Sequence, residues 1–433
     1  MNIRQRPAET AFEQAIRVRI AVFAVRLRFA LWALVLYPRT LDTDMCPEIL
    51  RPGGEHRRFS VSGKGELVTA DCVLVTGAFG LVGSAVVAEL AGQGRRVVAT
   101  DLDVPANRKR AQAVAARPGV EVRWADLTSP ADVETMLSAV APTAIIHLAA
   151  IIPPFCYARP RLAQEVNVDA TASLVKAAST LPRPPRFVQA SSVAVYGARS
   201  PYRNDGLLTT STPLRPNDLY GAHKAMAEHC VTASDLEWVV LRLGGVLLAE
   251  PRWALDRDLI FFEAVLPSDG RIQTVDVRDV AHAFCAATVT DHVRETFLIG
   301  GDHTHRITQA SLGTESAAAM GLAGGLPAGR RGNPDDDQGW FATDWMDTER
   351  AQNILAYQRH SLPAMYAEIR AKVGWRRWPL RLLAPALRWY LRRRSPYRGF
   401  PGAYADPWGA INERWGDPRA PQYLDSGAQA VPR

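Results

Sequence analysis

The sequence predicts an α/β fold built on a doubly wound parallel sheet. After Leu67, short apolar segments that suit strands alternate with segments that suit helices, which is the pattern of βαβ units. Several apolar segments, AIIHLAA among them, are continuous runs, as expected for strands covered on both faces. A glycine-rich turn, TGAFGLVG, joins the first strand segment to the first helical one.

The individual elements follow from these patterns. The strand segments are short apolar runs, and the helical segments carry apolar residues at spacings of three and four. The predicted strands are 72–76, 96–100, 121–124, 144–148, 186–190 and 238–243. The predicted helices are 81–92, 131–139, 163–180 and 220–234.

The chain departs from this alternation after about Gly321. The stretch GLAGGLPAGRRGNPDDD predicts a loop or linker. A helical segment at 348–374 follows, and then a tail in which Pro379 and Pro385 are expected to break any long helix. We therefore divide the chain into a basic N-terminal extension at 1–66, a core at 67–301, a substrate region with helical completion at 302–374, and a basic Trp/Arg-rich tail at 375–433.

Composition and charge limit the function classes. Hydrophobic residues make up 47% of the 433 residues, enough for a sizeable core. The net charge of +7 is uneven, because every charged residue from Arg17 to Arg39 and from Arg370 to Arg398 is basic. Such clusters favour contact with a membrane surface or a polyanion. For the tail, an amphipathic flap packed on the domain is the alternative. The apolar run FALWALVL is too short to span a bilayer, so the extension is interpreted as interfacial or as the product of a wrongly assigned start codon.

The cysteines and histidines give no metal pattern. Five cysteines are scattered without CxxC spacing, which favours a reducing, cytoplasmic compartment over a disulfide framework or a zinc site. His303 and His305 have the spacing of a chelating pair but no evident third ligand, so we expect them in a solvated loop.

The order strand, glycine-rich turn and helix is typical of dinucleotide-binding sites. Gly77 permits a tight turn, Gly80 lets the backbone approach a pyrophosphate, and Gly83 allows the helix to pack close to the strand. The helix N-terminus then favours phosphate binding. The spacing GxxGxxG is one residue longer than the common form, and an ordinary turn is the alternative.

Asp101 ends the second strand segment, in VVATD. A carboxylate there accepts hydrogen bonds from the adenosine ribose of NAD and repels the 2′-phosphate of NADP. The basic residues Arg108, Lys109 and Arg110 follow it and weaken that discrimination. NAD is therefore the expected cofactor, with NADP left open.

Three polar residues have types and spacing that suit proton transfer. Tyr220 and Lys224 form a YxxxK pair on one face of a predicted helix. A neighbouring ammonium favours the phenolate, which brings the tyrosine closer to neutral pH as a general acid or base. Ser192 follows a predicted parallel strand, where ligands bind in open α/β sheets. A surface lysine above a half-buried tyrosine and a serine that caps a loop are the alternatives.

Taken in order, the motifs TGAFGLVG, VVATD, ADL, HLAA, NVDAT, ASSVAVYG and YGAHK resemble the extended short-chain dehydrogenase/reductase family, in its NAD-dependent epimerase/dehydratase branch. The resemblance covers about residues 73–301. It implies an enzyme with a Rossmann-type fold, a bound nicotinamide cofactor, a small-molecule substrate and a homodimeric assembly. No nucleic-acid partner is expected.

The resemblance also implies which residues form the site. Ser192, Tyr220 and Lys224 would be catalytic, with Tyr220 as the proton donor or acceptor and Ser191 as the less favoured serine. His147 in HLAA is expected to be structural. The residues implied in cofactor binding are Gly77, Gly80, Leu81, Val82, Gly83, Asp101, Asp126, Leu127, Ala149, Ala150, Asn167, Tyr220, Lys224 and Gly245.

Family members with these residues transfer a hydride between a substrate carbon and nicotinamide. Dehydration needs an acidic residue beside the catalytic serine, and Ser191 and Val193 supply none. The segment 245–275 is short and partly apolar for a nucleotide-diphosphate pocket, which favours a sterol- or lipid-like alcohol or ketone. We therefore predict an NAD(P)-dependent oxidoreductase. A nucleotide-sugar epimerase is the alternative among enzymes, and a non-catalytic NAD-binding scaffold or sensor is the alternative of another class.

Overall fold

The computed structural model describes residues 71–251, 253 and 256–419. The predicted extension at 1–66 lies outside them. None of the described helices is long and apolar enough to cross a bilayer. The cysteines in this part of the chain, Cys72, Cys156, Cys230 and Cys285, are free.

The described strands form two sheets. Their bounds are β1 (Cys72–Thr76), β2 (Arg96–Asp101), β3 (Val120–Trp124), β4 (Ala144–His147), β5 (Arg186–Ser192), β6 (Trp238–Leu243), β7 (Gly245–Leu247), β8 (Arg271–Asp276), β9 (Glu295–Ile299) and β10 (Arg306–Thr308). The main sheet has seven parallel strands in the order β3-β2-β1-β4-β5-β6-β9. The strand order reverses direction between β1 and β4, as in doubly wound folds.

Helices cover both faces of the main sheet. The described α-helices are α1 (Leu81–Gly92), α2 (Pro105–Ala115), α3 (Pro130–Val140), α4 (Phe155–Ala158), α5 (Pro160–Gln164), α6 (Ala170–Ser179), α7 (Leu219–Thr232), α8 (Arg257–Val265), α9 (Val277–Ala287), α10 (Gln309–Ala319), α11 (Glu349–Leu355), α12 (Leu362–Val373), α13 (Arg377–Arg393) and α14 (Pro407–Trp415). Val73 and Val75 of β1 share a hydrophobic cluster with α1 and α9, whereas Leu74 shares one with α3 and α6. Because alternate residues of the strand are buried on opposite faces, β1 has no polar alternation.

The structure confirms the α/β fold class and the predicted strands, with small differences at their ends. The predicted helix at 163–180 is interrupted by a π-helical turn, Glu165–Asp169, between α5 and α6. The predicted segment at 348–374 is two helices, α11 and α12, since Ala356 adopts a left-handed conformation with a φ of +48°.

The second sheet has three strands in the order β10-β8-β7. It follows β6 directly and therefore lies at the carboxyl end of the main sheet. Gly244 joins the two sheets, and a Cβ there would lie 2.4 Å from the Gln273 carbonyl oxygen, so the close approach of β8 requires glycine. The strands β7 and β10 are three residues long, too short to give an apolar pattern.

The tail forms a long helix, so the prediction that Pro379 and Pro385 break it was wrong. Helix α13 runs for 17 residues through both prolines. Pro379 lies in the first turn, where backbone N–H groups have no helical partner in any case. Pro385 has no backbone N–H, so one carbonyl group in the preceding turn lacks its helical partner. Because Pro385 is exposed, that carbonyl group is open to water.

After α13 the chain packs beside the start of α7. Helix α14 contacts α4 and α8, and Trp408 within it is 2% exposed. The Tyr397 hydroxyl donates to the Val265 carbonyl oxygen at 2.5 Å. The Leu219 amide donates to the Pro418 carbonyl oxygen at 2.8 Å, one residue before Tyr220. The end of the tail is thus part of the folded unit.

Candidate active site

The glycine-rich turn between β1 and α1 has a backbone that only glycine permits at two positions. Gly77 has a φ of +62°, and a Cβ on it would lie 2.7 Å from the Ala149 backbone nitrogen. A Cβ on Gly83 would lie 2.1 Å from the Gly77 carbonyl oxygen. Gly77 is therefore required by the turn, and Gly83 by the packing of the helix on that turn.

Gly80 has a different environment. A Cβ on it would contact only the Gly77 carbonyl oxygen, at 3.3 Å, so the fold excludes a side chain there much less than at Gly77 or Gly83. Gly80 is the N-cap of α1 and offers that helix no side-chain hydrogen bond. The first N–H groups of a helix, here from Leu81 and Val82, have no acceptor within the helix. This end of α1 is a cradle that suits the pyrophosphate of a dinucleotide.

Asp101 lies at the end of β2, beside the glycine turn. Its Oδ2 accepts a hydrogen bond from the Phe79 amide at 3.1 Å. Its Oδ1 accepts from the Leu102 amide at 2.8 Å and from the Asn107 side chain at 3.1 Å. These bonds hold the carboxylate where a Rossmann-type fold binds the adenosine ribose.

The basic residues after Asp101 lie on α2 and differ in their partners. Arg108 forms an ion pair with Asp103 at 2.5 Å, which engages its guanidinium. Arg110 donates to the Phe79 carbonyl oxygen in the glycine turn, at 3.3 Å. Arg110 is therefore close enough to the turn to contact a phosphate group, and the geometry leaves the discrimination between NAD and NADP open.

The loops after β3 and β4 lie at the same edge of the sheet. Asp126 follows β3 and accepts hydrogen bonds from the amide and hydroxyl of Thr128 at 2.9 and 2.7 Å, while Leu127 is buried. Ala149 and Ala150 follow β4 and are partly exposed. Since parallel strands end at one edge, these residues share it with the glycine turn.

Asn167 fixes the loop that follows β4. It is 2% exposed, and its Oδ1 accepts from the Ile151 amide at 2.7 Å while its Nδ2 donates to the Ile151 carbonyl oxygen at 2.9 Å. Both backbone polar groups of Ile151 are thereby bound. Asn167 thus supports the cleft through its loop. Gly245, at the start of β7, is partly exposed near the carboxyl end of β6.

Tyr220 lies in the first turn of α7, which begins at a capping residue. Asp218 is the N-cap and accepts a hydrogen bond from the Gly221 amide at 3.0 Å. Burial raises the pKa of the Tyr220 phenol well above its ordinary value, and hydrogen bonding to the Ser192 side chain opposes that rise. Tyr220 and Ser192 are therefore brought together although they are far apart in sequence.

Lys224 lies one turn further along α7. Its Nζ donates to the Ala190 carbonyl oxygen at 2.9 Å and lies 5.9 Å from the centroid of the Tyr220 ring. Burial lowers the pKa of its ammonium to about 8, and the Glu228 carboxylate opposes this shift. The ammonium is therefore charged at neutral pH and close to the phenol.

The two serines at the end of β5 have different surroundings. Ser192 is partly exposed, and its Oγ accepts a hydrogen bond from the Ala194 amide at 3.2 Å. Ser191 is 3% exposed and donates to Glu228 Oε1 at 2.5 Å. Ser191 is thus engaged by Glu228, whereas Ser192 is the serine whose side chain lowers the pKa of the Tyr220 phenol.

Residues 73–260 match the model of the NAD dependent epimerase/dehydratase family. The matched part of the chain is therefore similar to the domain that defines this family. The resemblance that the sequence motifs carry is thereby confirmed, and the glycine turn and the Tyr220–Lys224 pair both lie within the matched residues.

Two curated relatives match parts of the chain. D-erythronate dehydrogenase of Cupriavidus necator is 34% identical over 25% of this chain and 32% of its own length. UDP-glucose 4-epimerase 4 of Oryza sativa is 30% identical over 48% of this chain and 57% of its own length. This chain therefore spans only about a third to somewhat over half of the length of these relatives.

Solved structures of two nucleotide-sugar epimerases have a similar fold. The UDP-glucose 4-epimerase of Thermus thermophilus, in complex with NAD, is 25% identical and has a TM-score of 0.55 over 70% of this chain and 97% of its own. The UDP-glucuronic acid 4-epimerase of Bacillus cereus, in complex with UDP-glucuronic acid and NAD, is 20% identical and has a TM-score of 0.57. At that identity the second likeness concerns the fold alone.

A buried polar network behind Lys224 was missed by the sequence interpretation. Glu228 binds Arg242 through two hydrogen bonds of 2.9 and 2.6 Å, and both side chains are almost fully buried. Arg242 also donates to the Tyr196 hydroxyl at 2.7 Å. Glu228 lies four residues after Lys224 on the same helix face, a spacing that could have signalled their interaction.

Aromatic side chains close to Tyr220 were also missed. They form one hydrophobic cluster with Tyr220 at its margin, and they come from α4, α8, α14 and the loop before α11. The Phe262 ring lies 6.3 Å from the Tyr157 ring, 5.5 Å from the Phe341 ring and 6.5 Å from the Trp415 ring. No local pattern joins these residues, because they lie up to about 260 positions apart in the chain.

Arginines near this cluster are engaged by other protein groups. Arg330 donates to the carbonyl oxygens of Tyr397 and Phe400, both at 3.1 Å. Arg331 pairs with Asp269 at 3.1 Å. The loop containing both arginines is thereby tied to the segment just before β8 and to the segment that leads into α14.

Two histidines lie apart from this chemistry. His147 is 1% exposed between the hydroxyls of Thr76 and Thr171, at 2.7 and 3.0 Å, and burial lowers its pKa to about 3. His305 is fully buried and bonds to Thr274 at 2.8 Å, so a solvated loop was the wrong expectation for it. No cluster of three metal-ligating side chains occurs within the described residues.

Proposed function

We propose that the protein is an NAD(P)-dependent oxidoreductase that transfers a hydride between the cofactor and a secondary alcohol or ketone. The observation that carries the proposal is the convergence of three side chains. The Ser192 side chain lies close enough to the Tyr220 phenol to lower its pKa, and the Lys224 ammonium lies 5.9 Å from the Tyr220 ring centroid. The match of residues 73–260 to the family model and the glycine turn support NAD as the cofactor.

The three side chains have separable tasks. In alcohol oxidation, Ser192 would hydrogen-bond the substrate oxygen, and the Tyr220 phenolate would take the hydroxyl proton. A bound nicotinamide supplies the acceptor for the hydride that leaves the same carbon. In ketone reduction, the Tyr220 phenol would return its proton to the oxygen. The Ser192 side chain opposes the rise in the Tyr220 pKa that burial causes. The Lys224 ammonium, 5.9 Å from the ring centroid, would favour the phenolate by its positive charge.

The surroundings of Tyr220 support an apolar substrate. The cluster at its margin is built from aromatic and aliphatic side chains, and the nearby Arg330 and Arg331 already bind protein groups. A diphosphate would need cations that are free to bind it. An apolar alcohol or ketone would instead be recognised by contact area with the rings.

A nucleotide-sugar epimerase is the second candidate. It is favoured by the Thermus thermophilus structure, a UDP-glucose 4-epimerase that is 25% identical and covers 70% of this chain. An epimerase returns the hydride to the same substrate, so reduced cofactor does not accumulate. The cofactor spectrum therefore separates the two candidates.

The test is a screen of the purified full chain with NAD and secondary alcohols, including sterols, and with UDP-sugars. The proposal predicts growth of the reduced-nicotinamide absorbance with an apolar alcohol and its loss in Tyr220→Phe. Conversion of a UDP-sugar to its epimer without reduced cofactor would replace the proposal with the second candidate. Retained turnover in Tyr220→Phe would contradict the assigned chemistry.

A homodimer and a peripheral membrane contact, both expected from the sequence, are retained as proposals. The dimer rests on the family resemblance and is tested by the mass of the protein in solution. The membrane contact has independent support from helix α13.

A further inference from the structure

Among residues 71–251, 253 and 256–419, helix α13 is attached to the protein by one side. The residues on that side are Leu380, Leu383, Ala384, Leu387 and Leu391, which are buried or partly buried. Ala384 is 3% exposed, and Leu380 packs against the cluster that contains α12. The spacing of three, four and seven residues is that of a single helix face.

The outer side of α13 carries an exposed apolar stripe. Trp378, Leu382 and Trp389 are 71%, 82% and 55% exposed. Their separations of four and seven residues place them above one another on one face of the helix. Two neighbouring tryptophans extend this surface, since Trp375 is 73% and Trp253 is 49% exposed.

Arginines flank the apolar stripe. Arg377, Arg381, Arg388 and Arg392 have the same four- and seven-residue spacing and lie on the adjoining part of the outer face. All four are exposed, and none has an ion-pair partner in 71–251, 253 and 256–419. The stretch from Trp375 to Arg398 contains no acidic residue. Apolar contact and positive charge thus occur side by side on one helix.

We propose that α13 binds the surface of a membrane containing anionic lipids, lying in the interfacial plane. The apolar stripe would enter the boundary between headgroups and acyl chains, where tryptophan is favoured, and the arginines would meet lipid phosphates. A second copy of the chain fits this face less well, because a symmetric interface would bring its arginines together. A nucleic acid would account for the arginines but leave Leu382 uncovered.

The test is flotation of the full chain with vesicles of phosphatidylcholine, with and without phosphatidylglycerol, at low and high salt. We expect binding that rises with phosphatidylglycerol and falls with salt, because surface charge is screened. Arg381→Gln with Arg388→Gln should weaken binding to the anionic vesicles about 30-fold, since each arginine near such a surface contributes about 1 kcal/mol. Trp378→Ala with Trp389→Ala should weaken binding at both salt concentrations.

Matched controls separate α13 from the rest of the chain, including the basic residues before 71. Arg117→Gln with Arg161→Gln removes two exposed arginines elsewhere and should bind as the wild type does. The proposal fails if the α13 arginine variant floats like this control, or if neutral and anionic vesicles bind equally. It also fails if the tryptophan variant changes the mass of the protein in solution while vesicle binding stays the same, which would assign the face to a second copy.

Discussion

Replacing Lys224 by methionine tests the electrostatics of the candidate site without a substrate. Lys224 is 4% exposed, and burial lowers the pKa of its ammonium from 10.5 to about 8. That difference corresponds to about 3 kcal/mol by which the folded state disfavours the charged form at neutral pH. Lys224→Met removes this cost together with the hydrogen bond to the Ala190 carbonyl oxygen.

The pH dependence of this effect has a defined sign. Between pH about 8 and 10.5, the unfolded chain holds the Lys224 proton and the folded chain releases it. The free energy of unfolding of the wild type therefore rises with pH in this window. The Lys224→Met variant has no such group. We therefore expect the free energy of unfolding of the wild type to rise by about 3 kcal/mol relative to that of the variant across this pH window.

Urea unfolding of both proteins at several pH values measures the gain. Lys176→Met, which removes an exposed lysine on α6, is the control and should show a difference from the wild type that does not vary with pH. The reasoning is refuted if the difference between wild type and Lys224→Met stays constant from pH 8 to 10.5 or changes in the opposite direction.

Three other substitutions test the cofactor cradle and the polar network. Gly83→Ala should destabilise the fold by about 3 kcal/mol, because its Cβ would lie 2.1 Å from a carbonyl oxygen. Gly80→Ala should instead leave the unfolding midpoint nearly unchanged and weaken NAD binding measured by calorimetry. Asp101→Ala should weaken NAD binding about tenfold and NADP binding less; equal losses for both dinucleotides would contradict its assigned contact with the ribose. Glu228→Gln should cost about 3–5 kcal/mol in urea unfolding, since it leaves Arg242 buried without a charge partner. Adding Arg242→Met should recover part of that loss, and a double variant no more stable than the single one would count against a charge effect.

The main sheet, the glycine turn and the placement of Tyr220 and Lys224 on one helix face were predictable because their signals are local. The buried strands appear as continuous apolar runs, and β1 is buried at every position. Gly77 and Gly83 have steric reasons for being glycine that hold within one turn. Tyr220 and Lys224 share a helix face through a spacing of four residues.

The parts that were not predicted depend on contacts between distant segments. Trp415 meets Phe262 only because the tail returns to α8, and no spacing in the sequence encodes that return. Helix α13 was missed since proline was treated as a breaker at every position, although Pro379 occupies the first turn and Pro385 is exposed. Glu228 and Arg242 pair across a helix and a strand, and only Glu228 had a local signal.

The most direct measurement is a crystal structure of the full chain with NAD bound. The account predicts the pyrophosphate at the Gly80 end of α1, with the Tyr220 hydroxyl, the Ser192 hydroxyl and the Lys224 ammonium gathered around one point beside the nicotinamide ring. A dinucleotide bound elsewhere, or a Tyr220 hydroxyl separated from that ring by more than one water molecule, would contradict it.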